Sequence, residues 1–470
     1  MPDRKQLIVN VFEMACVSHI THGLWRLPGN NRQRYAELGY WTELAQLVES
    51  GGLDGIFLAD VVGAYDTFRD GPETAIREGL QIPNLDPLLL VPAMAVVTDR
   101  IGFGVTFSTT YEPPFAFARR MSTLDLLTNG RIGWNIVTSY LTNAAENFGL
   151  TAQVPHDERY RKADEYVDVL YKLWEGSWDD DAVLRDAASG VYTDPAKVHR
   201  IDHHGEYFDV AGPHLGEPSP QRTPVLFQAT GSPAGIAFAG KHAEVVFTGG
   251  RSVEDFQRNA NGMRDAAERE GRRRDDVKFI VQAGVIVGRN DSEVADKVRA
   301  YQQAVSVDGI LAHSGFPFDI TAFPRELPVA DAISQAGLAS HPVAKQFAPG
   351  LTVGQALDQI VAGRHDRFYV AGTPDVVADE IERWLDVDGI DGINLRQYHS
   401  YDTVRDFVDL VVPELRRRGR MRGEHEHPEG ETFRARLFGR DRLPERHAAA
   451  RYRGGRGLSS QASFRHVGAA

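Results

Sequence analysis

The sequence predicts an α/β fold, a closed TIM-type (β/α)8 barrel. Three observations carry that expectation. Eight short apolar runs alternate with helical patterns. Each run is apolar on both faces, as buried parallel strands are. The first run, continuing into "VFEMACVSHI", lacks the glycine-rich turn that a doubly wound dinucleotide fold needs.

The units follow in order. "LIVNVF" (Leu7–Phe12) precedes a helix expected near Asn31–Ser50. "GIFLAD" (Gly55–Asp60) precedes one around Asp86–Thr98. "RIGFGVTFS" (Arg100–Ser108) leads to a helix near Pro114–Leu127, and then comes "RIGWNIVTS" (Arg131–Ser139). "PVLFQA" (Pro224–Ala229), "AEVVFT" (Ala243–Thr248), "VKFIVQAGVIVG" (Val277–Gly288) and "GINLRQY" (Gly392–Tyr398) complete the eight. One helix is unmistakable: after "HDERY", apolar side chains at Ala163, Tyr166, Val167, Leu170, Tyr171 and Trp174 share one face. Two gaps are too long for simple connections. They run from about 178 to 223, after the fourth strand, and from about 290 to 366, after the seventh. Long loops in a compact fold are usually lids or insertions. The barrel with its insertions accounts for residues 1–415.

Composition narrows the partners. A formal net charge of -13 argues against nucleic acid, whose phosphates need a basic face. A single cysteine, Cys16, excludes an internal disulfide and fits a reducing compartment. No apolar run approaches the ~18 residues of a membrane span, and the N-terminus shows no secretion signal. A cytoplasmic protein is expected. Residues 416–470 hold fourteen arginines, no lysine and six acids. That stretch reads as an extended or partly disordered Arg/Gly-rich tail, wrapping its own acidic body or a partner subunit. It lacks the interleaved aromatics of an RNA-binding tail. No metal site is expected. His203 and His204 are adjacent and point to opposite faces of a strand, His199 gains no carboxylate spacing, and the pair His425 and His427 is isolated.

The strand ends are polar. Asp60 ends the second, Thr106 and Ser108 the third, and Asn135, Thr138 and Ser139 the fourth, while Thr230, Gly231 and Ser232 follow the fifth. In such a barrel the C-terminal strand ends share the ligand-binding face. A rim of hydrogen-bonding groups over an apolar floor suits a planar ligand with a polar edge and a phosphate.

The motifs "GRIGWNIVTS", "AAENFGL", "HDERYRKADEY", "YKLWEGSW", "KVHRIDHHGEYFDVAGP" and "PSPQRTPVLFQATGSPAGIAFAGKHAEVVF" occur in that order. Together they resemble the bacterial-luciferase-like flavin enzymes. Specifically, they resemble the branch of nitrilotriacetate, dibenzothiophene sulfone and long-chain alkane monooxygenases. The resemblance spans roughly residues 5–415. It implies an FMNH2-dependent monooxygenase that takes reduced FMN from a separate NAD(P)H-dependent flavin reductase. Oxygen adds to the flavin at carbon 4a, and the resulting peroxide or hydroperoxide oxygenates a small organic substrate. A homo-oligomer, dimer or tetramer, is implied as well.

Carried over by motif, His156 and Tyr160 resemble ligands of the FMN phosphate. Their i, i+4 spacing at a helix start agrees, since free N–H groups there favour an anion. Gly231 and Ser232 match the small-residue turn at the phosphate. "QATGS" stands where many relatives read "QAGSS", which moves one hydroxyl to Thr230. Asp60 and Thr106 match flavin contacts, and Asn135 is placed against the ring system. "ACVSHI" and "LAHSG" resemble active-site segments, which makes His313 the catalytic candidate, with His19 and Tyr65 beside it. Gln81 and Cys16 are expected in the substrate pocket. The segment "VDGILAHSGFPFDITAFP" is expected to cover the barrel mouth without forming a regular helix. Two rivals share the fold: a deazaflavin-dependent oxidoreductase and a non-catalytic flavin-carrying protein. The "HDERY" motif favours FMN over the first, and eight full strands argue against the second, whose barrels are shortened. The substrate itself is not legible.

Overall fold

A computed structural model describes residues 4–458, apart from 251, 363–366, 424–425 and 427. Eight parallel strands close into the expected barrel: β1 Ile8–Met14, β2 Gly55–Ala59, β3 Gly102–Ser108, β4 Ile132–Val137, β5 Val225–Ala229, β6 Val245–Phe247, β7 Lys278–Val287 and β8 Gly392–Arg396. Neighbours in the barrel are neighbours in sequence. Closure comes from β8, which pairs with β7 (Ile280 opposite Gly392) and with β1 (Ile8 opposite Gly392). All eight expected runs are these strands. The reason is physical: strands buried by helices outside and by each other inside must be apolar on both faces.

A ninth strand, Phe368–Gly372, joins the sheet beyond the eight that the sequence predicts. It adds to the upper half of β7, with Ala283 opposite Phe368 and Val287 opposite Gly372. The lower half of β7 stays in the barrel against β6 and β8. Some helices are shorter than their patterns suggest. The first covers only Leu38–Ser50, after a tight turn at Asn31–Arg34. The second reduces to a turn at Pro87–Leu89 and five helical residues, Val91–Ala95. Pro92 is tolerated there because it stands in a first helical turn, where its missing N–H costs nothing. The helix His156–Tyr171 buries the expected face, including Ala163, Tyr166, Val167 and Leu170.

Two small hairpins, Val183–Asp186 with Val191–Thr193 and His203–His204 with Asp209–Val210, occupy the segment after β4. The segment after β7 is helical at Asp291–Ala304, Val307–His313, Val329–Gln335 and Val353–Ala362. The Val307–His313 helix corrects the expectation of an irregular segment. Ser306 caps it, its hydroxyl accepting the Gly309 N–H at 3.0 Å, so the glycine sits in the first turn, where it disturbs least. Leu311, Ala312, Phe316 and Ile320 then pack with Tyr65, Phe68 and Leu80 into a second apolar cluster beside the barrel core.

The C-terminal segment lies on its own acidic body, one of the readings the sequence offers, but as ordered structure rather than an extended tail: the described residues of 416–458 pack against the barrel. Thr432 caps the helix Phe433–Phe438. Phe433 plugs the N-terminal end of the barrel, stacked on Phe227 with ring centroids 5.9 Å apart. Arg436 pairs with Asp54 at 2.7 Å, and Arg453 with Glu175 at 3.0 Å. The arginines read as solvated charge because their carboxylate partners lie far away in sequence. Residues 459–470 lie outside the described residues, as do His425 and His427.

Candidate active site

At the C-terminal ends of β2, β4 and β5 lies a cavity of about 290 Å³. A second cavity, of about 880 Å³, shares the wall Asp60–Val61–Val62 with it. The walls are mainly apolar, with a few converging polar groups, as small-molecule sites are.

One end of the first cavity is built to meet an anion. His156, Arg159 and Tyr160 line it from the first turn of their helix. The His156 and Tyr160 rings meet edge to face at 5.2 Å. The Tyr160 hydroxyl lies 3.4 Å from Thr230 Oγ1. Arg159 is buried, its Nε has no hydrogen-bond partner in the protein, and burial pulls its pKa down. A buried cation without a partner is costly, and an anionic ligand would relieve it. Opposite, Ser232 caps the helix Pro233–His242, accepting the Gly235 N–H at 3.1 Å. Gly231 faces open space: a Cβ there would meet nothing within 4 Å. A ten-residue helix thus presents its N-terminus beside a clear approach for a phosphate.

Deeper in, Asp60 sits at the end of β2. Asn84 Nδ2 donates to its Oδ1 at 2.7 Å. Burial pushes the Asp60 carboxyl up to about 7, with Asp86 adding to the effect. Asn135 Nδ2 donates to Thr106 Oγ1 at 2.9 Å, across the β3–β4 pair where the two residues are in register. Both are buried, and Asn135 Oδ1 is left without a partner. Neither lines the first or the second cavity. Ser139 holds a left-handed backbone (φ 57°), and its hydroxyl lies 2.8 Å from that of Ser108. Strain of this kind gathers at binding sites.

A second group surrounds His313. Its Nδ1 lies 2.8 Å from His22 Nε2, and its Nε2 lies 3.1 Å from Gln81 Nε2. The Tyr65 ring meets it edge-on at 5.0 Å. The Tyr65 hydroxyl bonds Tyr140 and lies 3.5 Å from Gln81 Oε1. Tyr140 lines the first cavity and Gln81 the second, so Tyr65 ties the two. Burial pushes the His313 imidazole down to about 4, helped by the Arg396 charge. His19 is held well below the usual imidazole range by burial first, then by His313 and two arginines, and its ring stands on edge against Phe12 at 4.9 Å. Cys16 is buried, and burial pushes its thiol up to about 12. It therefore stays protonated and is no nucleophile at neutral pH.

The structure thus brings His313, Tyr65 and Gln81 into one hydrogen-bonded chain, and Asp60, His156 and Tyr160 onto one cavity. Sequence reasoning passed over Arg159, Tyr140 and His22. The signal for Arg159 was present: with His156 and Tyr160 it completes an i, i+3, i+4 face. No local spacing could have joined His22 to His313. His199, His203 and His204 each sit beside a different carboxylate, Asp179, Glu165 and Asp209. Among the described residues, no three metal-binding side chains gather at one point, and no helix is long and apolar enough to cross a membrane.

The same fold is found in known proteins. The chain is 49% identical to the long-chain alkane monooxygenase of Geobacillus thermodenitrificans, over 96% of this chain and 98% of that one. A crystal structure of a long-chain alkane monooxygenase superposes with a TM-score of 0.87 at 48% identity, over 96% of this chain and all of the other. A riboflavin lyase, crystallised with modified FMN and riboflavin, superposes with a TM-score of 0.83 at 37% identity, covering 96% of this chain and 100% of that one. The family model described as luciferase-like monooxygenase matches residues 17–391. The chain therefore belongs to the luciferase-like monooxygenase family.

Proposed function

We propose that this protein is the oxygenating half of a two-component system. It takes reduced FMN from a separate NAD(P)H-dependent flavin reductase and, with O2, oxygenates a small organic substrate. The observation that carries this reading is the anion-ready end of the first cavity. The unpartnered Arg159 Nε and the His156 and Tyr160 side chains lie there, and the helix capped by Ser232 starts close by, two residues after Thr230, whose hydroxyl is 3.4 Å from that of Tyr160. These groups fit the phosphate of FMN. Bound reduced flavin supplies the electrons that activate oxygen, chemistry no side chain here can perform.

The chain's own residues do the rest. The phosphate groups fix one end of the ligand and so orient its ring toward the strand ends. Asp60 and the wall shared by the two cavities bring ring and substrate together. His313, held neutral by burial, accepts or returns a proton beside the reacting atoms. The segment from Val307 to Ile320 packs on the loop after β2 and keeps water from that corner.

The test is direct. Purified protein should bind reduced FMN more tightly than riboflavin and should form product only when a flavin reductase is added. Oxidation of NADH by the protein alone would defeat the reading, as would equal affinity for riboflavin and FMN.

A further inference from the structure

The contact between His22 and His313 has no role in the function set out above. His22 is buried (7% exposed) in the loop after β1, and His313 closes a helix nearly three hundred residues later. Two fixed points hold them together. The Ser306 N–H donates to the His22 carbonyl at 3.1 Å. Gly309 lets the two backbones approach, since a Cβ there would lie 3.2 Å from His22 Cβ.

The hydrogen bonds carry a direction. Gln81 Nε2 faces His313 Nε2 at 3.1 Å, while Gln81 Oε1 is turned to the Tyr65 hydroxyl at 3.5 Å. An amide nitrogen only donates, so His313 Nε2 must accept. A neutral imidazole carries one hydrogen, which is then on Nδ1. From there it can go only to His22 Nε2, at 2.8 Å. The reverse tautomer would set N–H against N–H at Gln81. The other groups facing His313 are His19, the Tyr65 ring and the Arg396 charge, and none offers Nδ1 an acceptor among the contacts described.

Resting on the reading of His313 as the active-site imidazole, we propose that His22 is a positioning residue: it accepts the Nδ1 hydrogen of His313, fixes that tautomer, and leaves the Nε2 lone pair facing Gln81 as the proton acceptor. The logic is that of any oriented histidine, where the bond at one nitrogen decides what the other can do.

The experiment is nitrogen NMR of the full chain with labelled histidine, recorded without flavin. The His313 signals are those lost in His313→Gln. Three proteins are compared: wild type, His22→Leu, which removes the acceptor, and His22→Asn, whose side-chain oxygen keeps one. Wild type and His22→Asn should show hydrogen on Nδ1, and His22→Leu should move it to Nε2 or leave a mixture. With reductase, FMN and substrate, kcat of His22→Leu should fall by roughly 10–100-fold, the scale for losing a histidine's orienting partner. KM should stay unchanged, and His22→Asn should recover most of the loss. Hydrogen on Nε2 in the wild type, or a tautomer unmoved in His22→Leu, would overturn the proposal. Because the NMR needs no turnover, a tautomer shift in a protein that proves inactive with reduced FMN would sink the flavin reading and leave the positioning role standing.

Discussion

The Arg434 guanidinium donates to both oxygens of the Glu244 carboxylate, at 2.8 and 2.9 Å, with both side chains almost completely buried. Its three remaining N–H groups face the carbonyls of Gln221, Thr223, Pro224 and Asp441, with Thr223 and Pro224 sharing one of them. Arg434→Ala would strand a buried carboxylate and should cost about 3–5 kcal/mol. Denaturant unfolding of this variant and of the double variant Arg434→Met/Glu244→Met checks it. The double variant should recover much of the loss, and a single variant as stable as wild type would contradict the pairing.

Gly102 and Phe433 share space at the same end of the barrel. A Cβ on Gly102 would stand 2.2 Å from the Phe433 ring. Gly102→Ala should therefore destabilise by about 1–3 kcal/mol, the scale of overpacking. In a Phe433→Leu background the same change should cost less. A double-mutant cycle measures that coupling, and strictly additive effects would mean the ring does not fill the barrel end.

Phosphate recognition should fall on Arg159 and His156. Arg159→Gln and His156→Ala should each weaken reduced FMN binding by about 1–3 kcal/mol, as lost bonds to a charged group do. Riboflavin binding should hardly change. Anaerobic titration with both flavins decides, and an equal loss for the two would place these residues away from the phosphate.

Asp60 should leave a pH signature in stability. Its folded carboxyl sits at about 7 against an ordinary 3.8, chiefly through burial. As pH rises between those values the unfolded chain gives up the proton first, so wild-type stability falls across that window and levels off above it. Asp60→Asn has no proton to lose and can keep the Asn84 bond. Its stability relative to wild type should rise from pH 4 to pH 8. Urea midpoints at the two pH values are the measurement, and a constant difference would show that the carboxyl is not perturbed.

His313→Ala should leave FMN binding nearly intact, because the phosphate groups lie on another helix. Product formation should drop by roughly 100-fold, and hydrogen peroxide released per flavin oxidised should climb. An unchanged ratio of product to peroxide would assign His313 a structural role only.

Much of the barrel was legible because its strands carry their burial in their composition. Trp134 and Ile136 are apolar because they share the face of β4 that the helices cover. The strand Phe368–Gly372 escaped notice because Tyr369 and Ala371 are only half-buried, so its run is short and mixed. The phosphate end was readable where it followed helical spacing at His156 and Tyr160. The His313 surroundings were not, since Tyr65, Gln81 and His22 reach it from separate loops. The ordered packing of the C-terminal arginines was hidden for a related reason. Arg434 and Arg436 meet their carboxylates 190 and 382 residues away, and charge paired at that distance looks like charge in water.

Closure between β1 and β8 sets a timetable for synthesis. Asn10 and Asn394, which are hydrogen-bonded across that seam, lie 384 residues apart. At the usual pace of a ribosome the first strand waits on the order of a minute for its partner to be made. Over that interval the nascent polypeptide accumulates up to seven apolar strands with no closed barrel to cover their edges, the state most prone to aggregate. The plug at Phe433 arrives later still. Production of this enzyme in a foreign host should therefore depend more on chaperone supply and growth temperature than on the stability of the finished molecule.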